Sequence, residues 1–146
     1  MITSELEQLI QTVSQDILAL QNPDDKPNPS KWSKKEILGH LCDSATMNHK
    51  RFIDRLYSNE DIKLELYKQN HWVEYNNYQH SYTIDEVLSL WIALNQRIVK
   101  TMKNIGTEKL ALQFTVSENE KVTFEWLYTD YVEHLKHHLK QIFDQK

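Results

Sequence analysis

The chain reads as an all-α protein, a four-helix bundle, on three observations. Its 146 residues hold only 2 glycines and 3 prolines, so few breakers interrupt helices. Four segments repeat apolar residues at steps of three and four. Three of them open on a Ser or Thr followed three residues later by Glu: Ser4 with Glu7, Ser33 with Glu36, and Thr83 with Glu86. That spacing is the capping box, in which side chains satisfy the first free backbone N–H groups. Amphipathic helices in this number bury their stripes against one another as a bundle.

The first helix is expected from Ser4 to about Leu20, with Leu6, Leu9, Ile10, Val13 and Ile17 on one stripe. The run from Asn22 to Pro29 holds all three prolines and stops it. The second helix starts at Ser33 and runs to about Tyr57, with Trp32 and Ile37 in staple positions. Ile37, Leu41, Ala45, Phe52 and Leu56 make its apolar face, and His40, Ser44, Asn48, Arg51 and Arg55 a polar stripe beside it. From Ser58 to Tyr82 the pattern weakens and aromatics accumulate, with a short helix expected around Leu64 to Tyr75. A connection this long reads either as a functional cover or as a crossover with its own small cluster. The third helix follows Thr83, carries Val87, Trp91, Ile98 and Met102, and ends with Gly106 at the expected C′ position. Leu112 to Val116 is an extended candidate. The fourth helix runs from about Thr123 to Phe143, with Lys136, Lys140 and Lys146 suiting its negative end.

Length fits a single domain over residues 1–146. Hydrophobic residues at 40% and charged residues at 26% argue against disorder. The net charge of −4 comes with no basic block, so nucleic acid and anionic membranes are not expected partners. One cysteine, Cys42, excludes an internal disulfide and suits a reducing cytoplasm. Neither a signal peptide nor a spanning segment is expected.

His134 and His138 lie four apart on the fourth helix, so their rings point the same way and can reach one metal ion. His40, early in the second helix, would supply a third ligand from a facing helix. Three histidines leave a coordination position open, which suits catalysis better than structural support. The alternative is that tyrosine hydroxyls satisfy the two rings of the fourth helix. His137 points to the flank, and His49, His71 and His80 have no partner at ligand spacing. Glu133 precedes His134, but no HExxH motif exists. Asp43 reads as a solvated acid or as a carboxylate orienting His40. Cys42 reads as an inert core residue. Gly39 fits either a close backbone approach or a tolerated helix glycine.

The segment Trp32-Ser33-Lys34-Lys35-Glu36-Ile37-Leu38-Gly39-His40-Leu41-Cys42-Asp43-Ser44 resembles the second-helix signature of the DinB/YfiT-like superfamily. Val122 to Leu127, leading into His134 to Ile142, resembles its last-helix signature. The resemblance spans nearly the whole chain. It implies an up-down-down-up bundle with a long connection between helices two and three. It also implies a divalent metal on His40, His134 and His138; zinc, nickel or iron all suit imidazole ligands. Related bundles include transferases and an isomerase that use low-molecular-weight thiols, and homodimers are frequent. The expected function is therefore metal-dependent transfer of a small thiol to an electrophile. The alternatives are a metal-dependent hydrolase and a non-catalytic metal- or ligand-binding bundle of the stress response. No catalytic base is legible.

Overall fold

The computed structural model describes residues 1–144, so the role expected of Lys146 lies outside the described residues. Four long helices dominate: α1 (Ser4–Leu18), α2 (Lys34–Tyr57), α5 (Ile84–Asn104) and α6 (Phe124–Asp144). Short helices α3 (Gln69–Asn76) and α4 (Tyr78–Ser81) lie between α2 and α5. The strands β1 (Ile62–Lys63), β2 (Gln113–Ser117) and β3 (Glu120–Thr123) complete the chain, with a 3₁₀ turn at Thr107–Ala111.

The capping boxes at Ser33 and Thr83 both form. Ser33 Oγ accepts from the Glu36 N–H at 3.1 Å, and Thr83 Oγ1 accepts from the Glu86 N–H at 3.2 Å. The box expected at Ser4 does not. Thr3 holds that position with helical backbone angles, and its hydroxyl donates to the Glu7 carboxylate at 2.7 Å. A cap residue already in helical geometry cannot turn its side chain onto the following N–H groups. Gly106 is also not a left-handed helix cap: α5 stops at Asn104, and Gly106 has φ −76°. The last turn of α6 carries no basic residue; Lys136 reaches Glu5 and Glu133 instead.

The apolar stripes meet as expected. Leu6, Val13, Ile17, Val87, Trp91 and Ile98 are all buried. Burial of this kind stabilises by roughly 25 cal/mol per Å² of apolar surface. Between α2 and α5, Cys42 Sγ lies 3.7 Å from the Val87 carbonyl, and the His49 ring meets the Thr101 hydroxyl at 3.1 Å. Between α5 and α6, Tyr131 donates to Asn95 Oδ1 at 2.5 Å. Lys103 near the end of α5 pairs with Glu7 near the start of α1 at 3.0 Å.

The sheet has the order β1-β2-β3, β1 parallel and β3 antiparallel to β2. Ile62 sits opposite Phe114, and Phe114 opposite Val122. Phe114 fills the inner face and is buried. This sheet ties the connection after α2 to the hairpin that feeds α6. Arg55 adds a second tie, donating to the Gln113 carbonyl at 2.7 Å and pairing with Asp61 at 3.3 Å. No helix among the described residues is long and apolar enough to cross a membrane.

A candidate metal centre at one end of the helix pair α2 and α6

The Ser33 capping box sets the start of α2 and so places His40 in its second turn, facing α6. His40 is 0% exposed. His134 and His138 come from α6 and are half-buried. Their faces sit at the edge of the α6 stripe, whose buried residues include Tyr131, Leu135 and Leu139. The ligand-capable nitrogens of His40, His134 and His138 lie within 4.8 Å of one another. His40 packs edge-on against both partners, with ring centroids 5.7 Å and 4.7 Å away. Trp32, expected as a staple, lies over the other side of His40 with centroids 4.9 Å apart.

Three features decide whether these residues fit a metal ion. Both ring nitrogens of His40 are buried and have no hydrogen-bond partner among the described residues. One proton could bridge the α6 pair, but nothing then satisfies His40, and an unpaired buried polar group is costly. His134 Nε2 and His138 Nε2 face each other at 3.2 Å. Ligand nitrogens around a tetrahedral zinc, each about 2.0–2.1 Å from it, sit about 3.3 Å apart, so that pair already has ligand spacing. Finally, burial holds the His40 pKa down at about 3, with His138 and His134 adding to it. Burial also lowers both α6 histidines, His134 further through His138. The neutral ring is the form that ligates. The donor set therefore fits a divalent ion of the borderline class.

Gln141, which the sequence reading passed over, orients the centre. Its Oε1 lies 2.9 Å from His138 Nδ1. In the tautomer where Nδ1–H donates to that oxygen, Nε2 is left unprotonated and faces the other rings, the usual outer contact of a ligating histidine. Its place at i+3 from His138 was the available signal. His137 is exposed, and its Nε2 lies 3.5 Å from the Gln141 amide nitrogen.

Asp43 does neither thing expected of it. It is buried, not solvated, and it does not touch His40, whose nitrogens are unpartnered. It accepts instead from Tyr78 Oη at 2.6 Å and from Asn76 at 3.2 Å. Burial raises its pKa to about 6, against the lowering effect of the Tyr78 bond. Gly39 belongs to the same arrangement. A Cβ there would lie 2.2 Å from Tyr78 Cδ2, so the tyrosine ring occupies the space a side chain would need. Asn77, with φ 53°, makes the turn that delivers Tyr78. Cys42 is buried, and burial pushes its thiol well above the usual range. Inert packing is the consequence.

A cleft opens beside His134. Ser44, Asn48 and Arg51 line it from α2, Asp130 and His134 from α6, and Tyr67 from the connection. Of the connection's other aromatics, Tyr78 is buried, while Trp72 and Tyr75 are exposed. No fourth His, Cys, Asp or Glu joins the cluster among the described residues.

A bundle with three convergent histidines on two helices defines the class: a helical protein whose side chains can hold one metal ion. The family follows from comparison. The sequence profile of the DinB superfamily matches residues 3–142, and the chain belongs to that family. Among solved structures it is similar to YfiT from Bacillus subtilis, at 20% identity and a TM-score of 0.84, over 98% of this chain and 82% of that one. YfiT is described as "a probable metal-dependent hydrolase with an unusual four-helix bundle topology". At that identity the likeness establishes the fold alone. No curated protein matches this chain.

Proposed function

We propose that His40, His134 and His138 hold a divalent metal and that the protein is an enzyme adding a low-molecular-weight thiol to a small electrophile. One observation carries the metal assignment: a wholly buried imidazole with both nitrogens unpartnered, aimed at two further imidazoles within 4.8 Å. When bound, a divalent ion lowers the pKa of a coordinated thiol or water and polarises a substrate oxygen. The chain's own residues do the rest. Burial disfavours the charged form of all three rings, and the Gln141 contact suits the His138 tautomer that leaves Nε2 free. The cleft at His134 gives a small molecule access from one side, with Arg51 and Asn48 to bind its polar groups.

Zinc, nickel and iron remain the candidate ions. The second reading, metal-assisted hydrolysis with water in the thiol's place, is favoured by the likeness to YfiT. A non-catalytic metal-binding bundle is the third. We further infer the up-down-down-up order. Its support is that Cys42 meets Val87 and His49 meets Thr101, while Phe52 meets Phe124 and His40 meets His138. A homodimer and a cytoplasmic setting complete the reading.

Elemental analysis of protein purified without an affinity tag or added metal tests the centre. About one ion per chain is expected, falling towards zero in His138→Ala. Turnover of a small thiol with an electrophile, beside hydrolysis of simple esters and amides, then separates the readings. Metal-loaded protein that turns over neither is a binding bundle. Sedimentation measures the dimer.

A further inference from the structure

We infer that the cleft beside His134 binds a small amino-acid-type zwitterion, with Arg51 taking its carboxylate and Asp130 its ammonium. The cleft has a volume of about 150 Å³. Pockets for drug-sized ligands run to roughly 300–1,000 Å³, so this one suits a ligand of a few heavy atoms.

The charges in the cleft carry the argument. Arg51 donates to Asn48 Oδ1 at 3.3 Å and to the Glu65 carbonyl, but forms no ion pair among the described residues. Arg55, four residues on, has its carboxylate in Asp61 at 3.3 Å. A half-buried guanidinium without a counter-ion is short of an anion, and its fork of donors matches a carboxylate bidentately. Tyr67, which lines the same cleft, adds a donor: its hydroxyl is buried and has no partner among the described residues. Asp130 is exposed on the α6 side and forms no ion pair among the described residues, its charge bearing on His134 one turn on. Arg51 and Asp130 make no ion pair with each other. The cleft therefore presents separate positive and negative groups, as a zwitterion requires and a simple anion does not.

The inference rests on the proposed metal centre at one point. His134 belongs both to the cleft and to the histidine cluster, so the ligand's third group, a thiol or hydroxyl, would face the ion. Recognition of the two charges does not require the ion.

The test is an NMR chemical-shift titration of the full chain, metal-free and zinc-loaded, with three oxygen analogues that do not strip zinc readily. L-serine carries both charges, ethanolamine only the ammonium and 3-hydroxypropionate only the carboxylate. In the metal-free protein, serine should bind about tenfold or more tighter than either, since a hydrogen-bonded charge is worth that factor. Arg51→Gln should erase the preference for serine over ethanolamine. Asp130→Asn should erase the preference over 3-hydroxypropionate. Tyr67→Phe should weaken the two carboxylate ligands and spare ethanolamine. A connection merely loosened by mutation would weaken all three ligands alike. Absence of saturable binding, ratios near one, or ratios that survive the variants would overturn the inference. A zinc titration on the same samples keeps the two readings apart. Zinc bound at the histidines with ratios near one removes the zwitterion site alone. Zinc not bound, with the ratios intact, removes the metal centre alone.

Discussion

Helices α2 and α6 meet at two ends that solve opposite problems. At one end Phe52 packs on Phe124 and Tyr128, with ring centroids 5.0 Å and 6.2 Å apart. At the other, three or four turns away along α2, His40 packs on His134 and His138 at 5.7 Å and 4.7 Å. The distances are alike but the energetics differ. The Phe52 and Phe124 rings gain from leaving water and ask for no partner; of that trio only the Tyr128 hydroxyl is buried without one among the described residues. Imidazoles lose hydrogen bonds to water and, for His40, find none among the described residues. Phe52 holds the seam; the histidine end weakens it unless something binds there. A cluster kept at such a cost is where function is to be sought.

Breaking the aromatic end should have the largest effect. Phe52→Ala is expected to cost about 3–5 kcal/mol of stability in urea unfolding, from lost burial plus the cavity left behind. A loss below about 1 kcal/mol would mean that this end does not secure the seam.

The histidine end should respond in binding rather than stability. His138→Ala should lower zinc affinity by at least about a hundredfold, more than the loss of an outer contact usually costs. Its helical circular dichroism should match that of the parent, because the apolar stripes do not depend on the ion. His137→Ala should keep near-parental affinity, its ring being exposed and outside the three-histidine cluster. Reversed metal contents in the two variants would show that the facing of α6 has been misassigned.

Gly39→Ala probes the wall beside His40. Alanine gains roughly 1 kcal/mol in helix propensity. Against that, its Cβ would meet the Tyr78 ring at 2.2 Å, an overpacking worth about 1–3 kcal/mol. The net effect expected in thermal melts is destabilisation, together with looser packing of Tyr78. A stabilised variant would show that the ring yields freely.

A further contrast lies in the pH dependence of the metal-free protein. His40 has its pKa lowered to about 3, so its contribution is full above about 6.5 and is lost as pH falls towards 3. Asp43 has its pKa raised to about 6, so its contribution is present below about 3.8 and is lost as pH rises through 6. The two oppose each other between pH 4 and 6. Asp43→Asn removes the second, so its stability should fall more steeply than the parent's on acidification through that window. Parallel urea midpoints for both proteins across the window would contradict the assignment of the raised carboxyl.

Much of this molecule was determined by the sequence alone. The stripes on α1, α2, α5 and α6, the boxes at Ser33 and Thr83, and the shared facing of His134 and His138 all follow from contacts within four residues. Such contacts obey the helix period whatever surrounds them. The limits of local reading show at Ser4 and Gly106, where the residue type suited a cap that the backbone did not adopt.

Other features were left to the tertiary structure, because the partners lie far apart in the chain. Asp43 meets Tyr78 across 35 residues, and Arg55 meets the Gln113 carbonyl across 58. Whether Asp43 was solvated or buried, and whether Arg51 or Arg55 kept an unpaired guanidinium, depended on where the connection came to rest. The strands β1 and β3 escaped notice because two and four residues at a sheet edge carry almost no alternation. Burial decides what a polar side chain does, and burial is a property of the assembled elements. The i, i+4 pair of histidines was written into one helix; that it meets His40, and that His40 finds no hydrogen-bond partner among the described residues, was decided only when α2 and α6 packed.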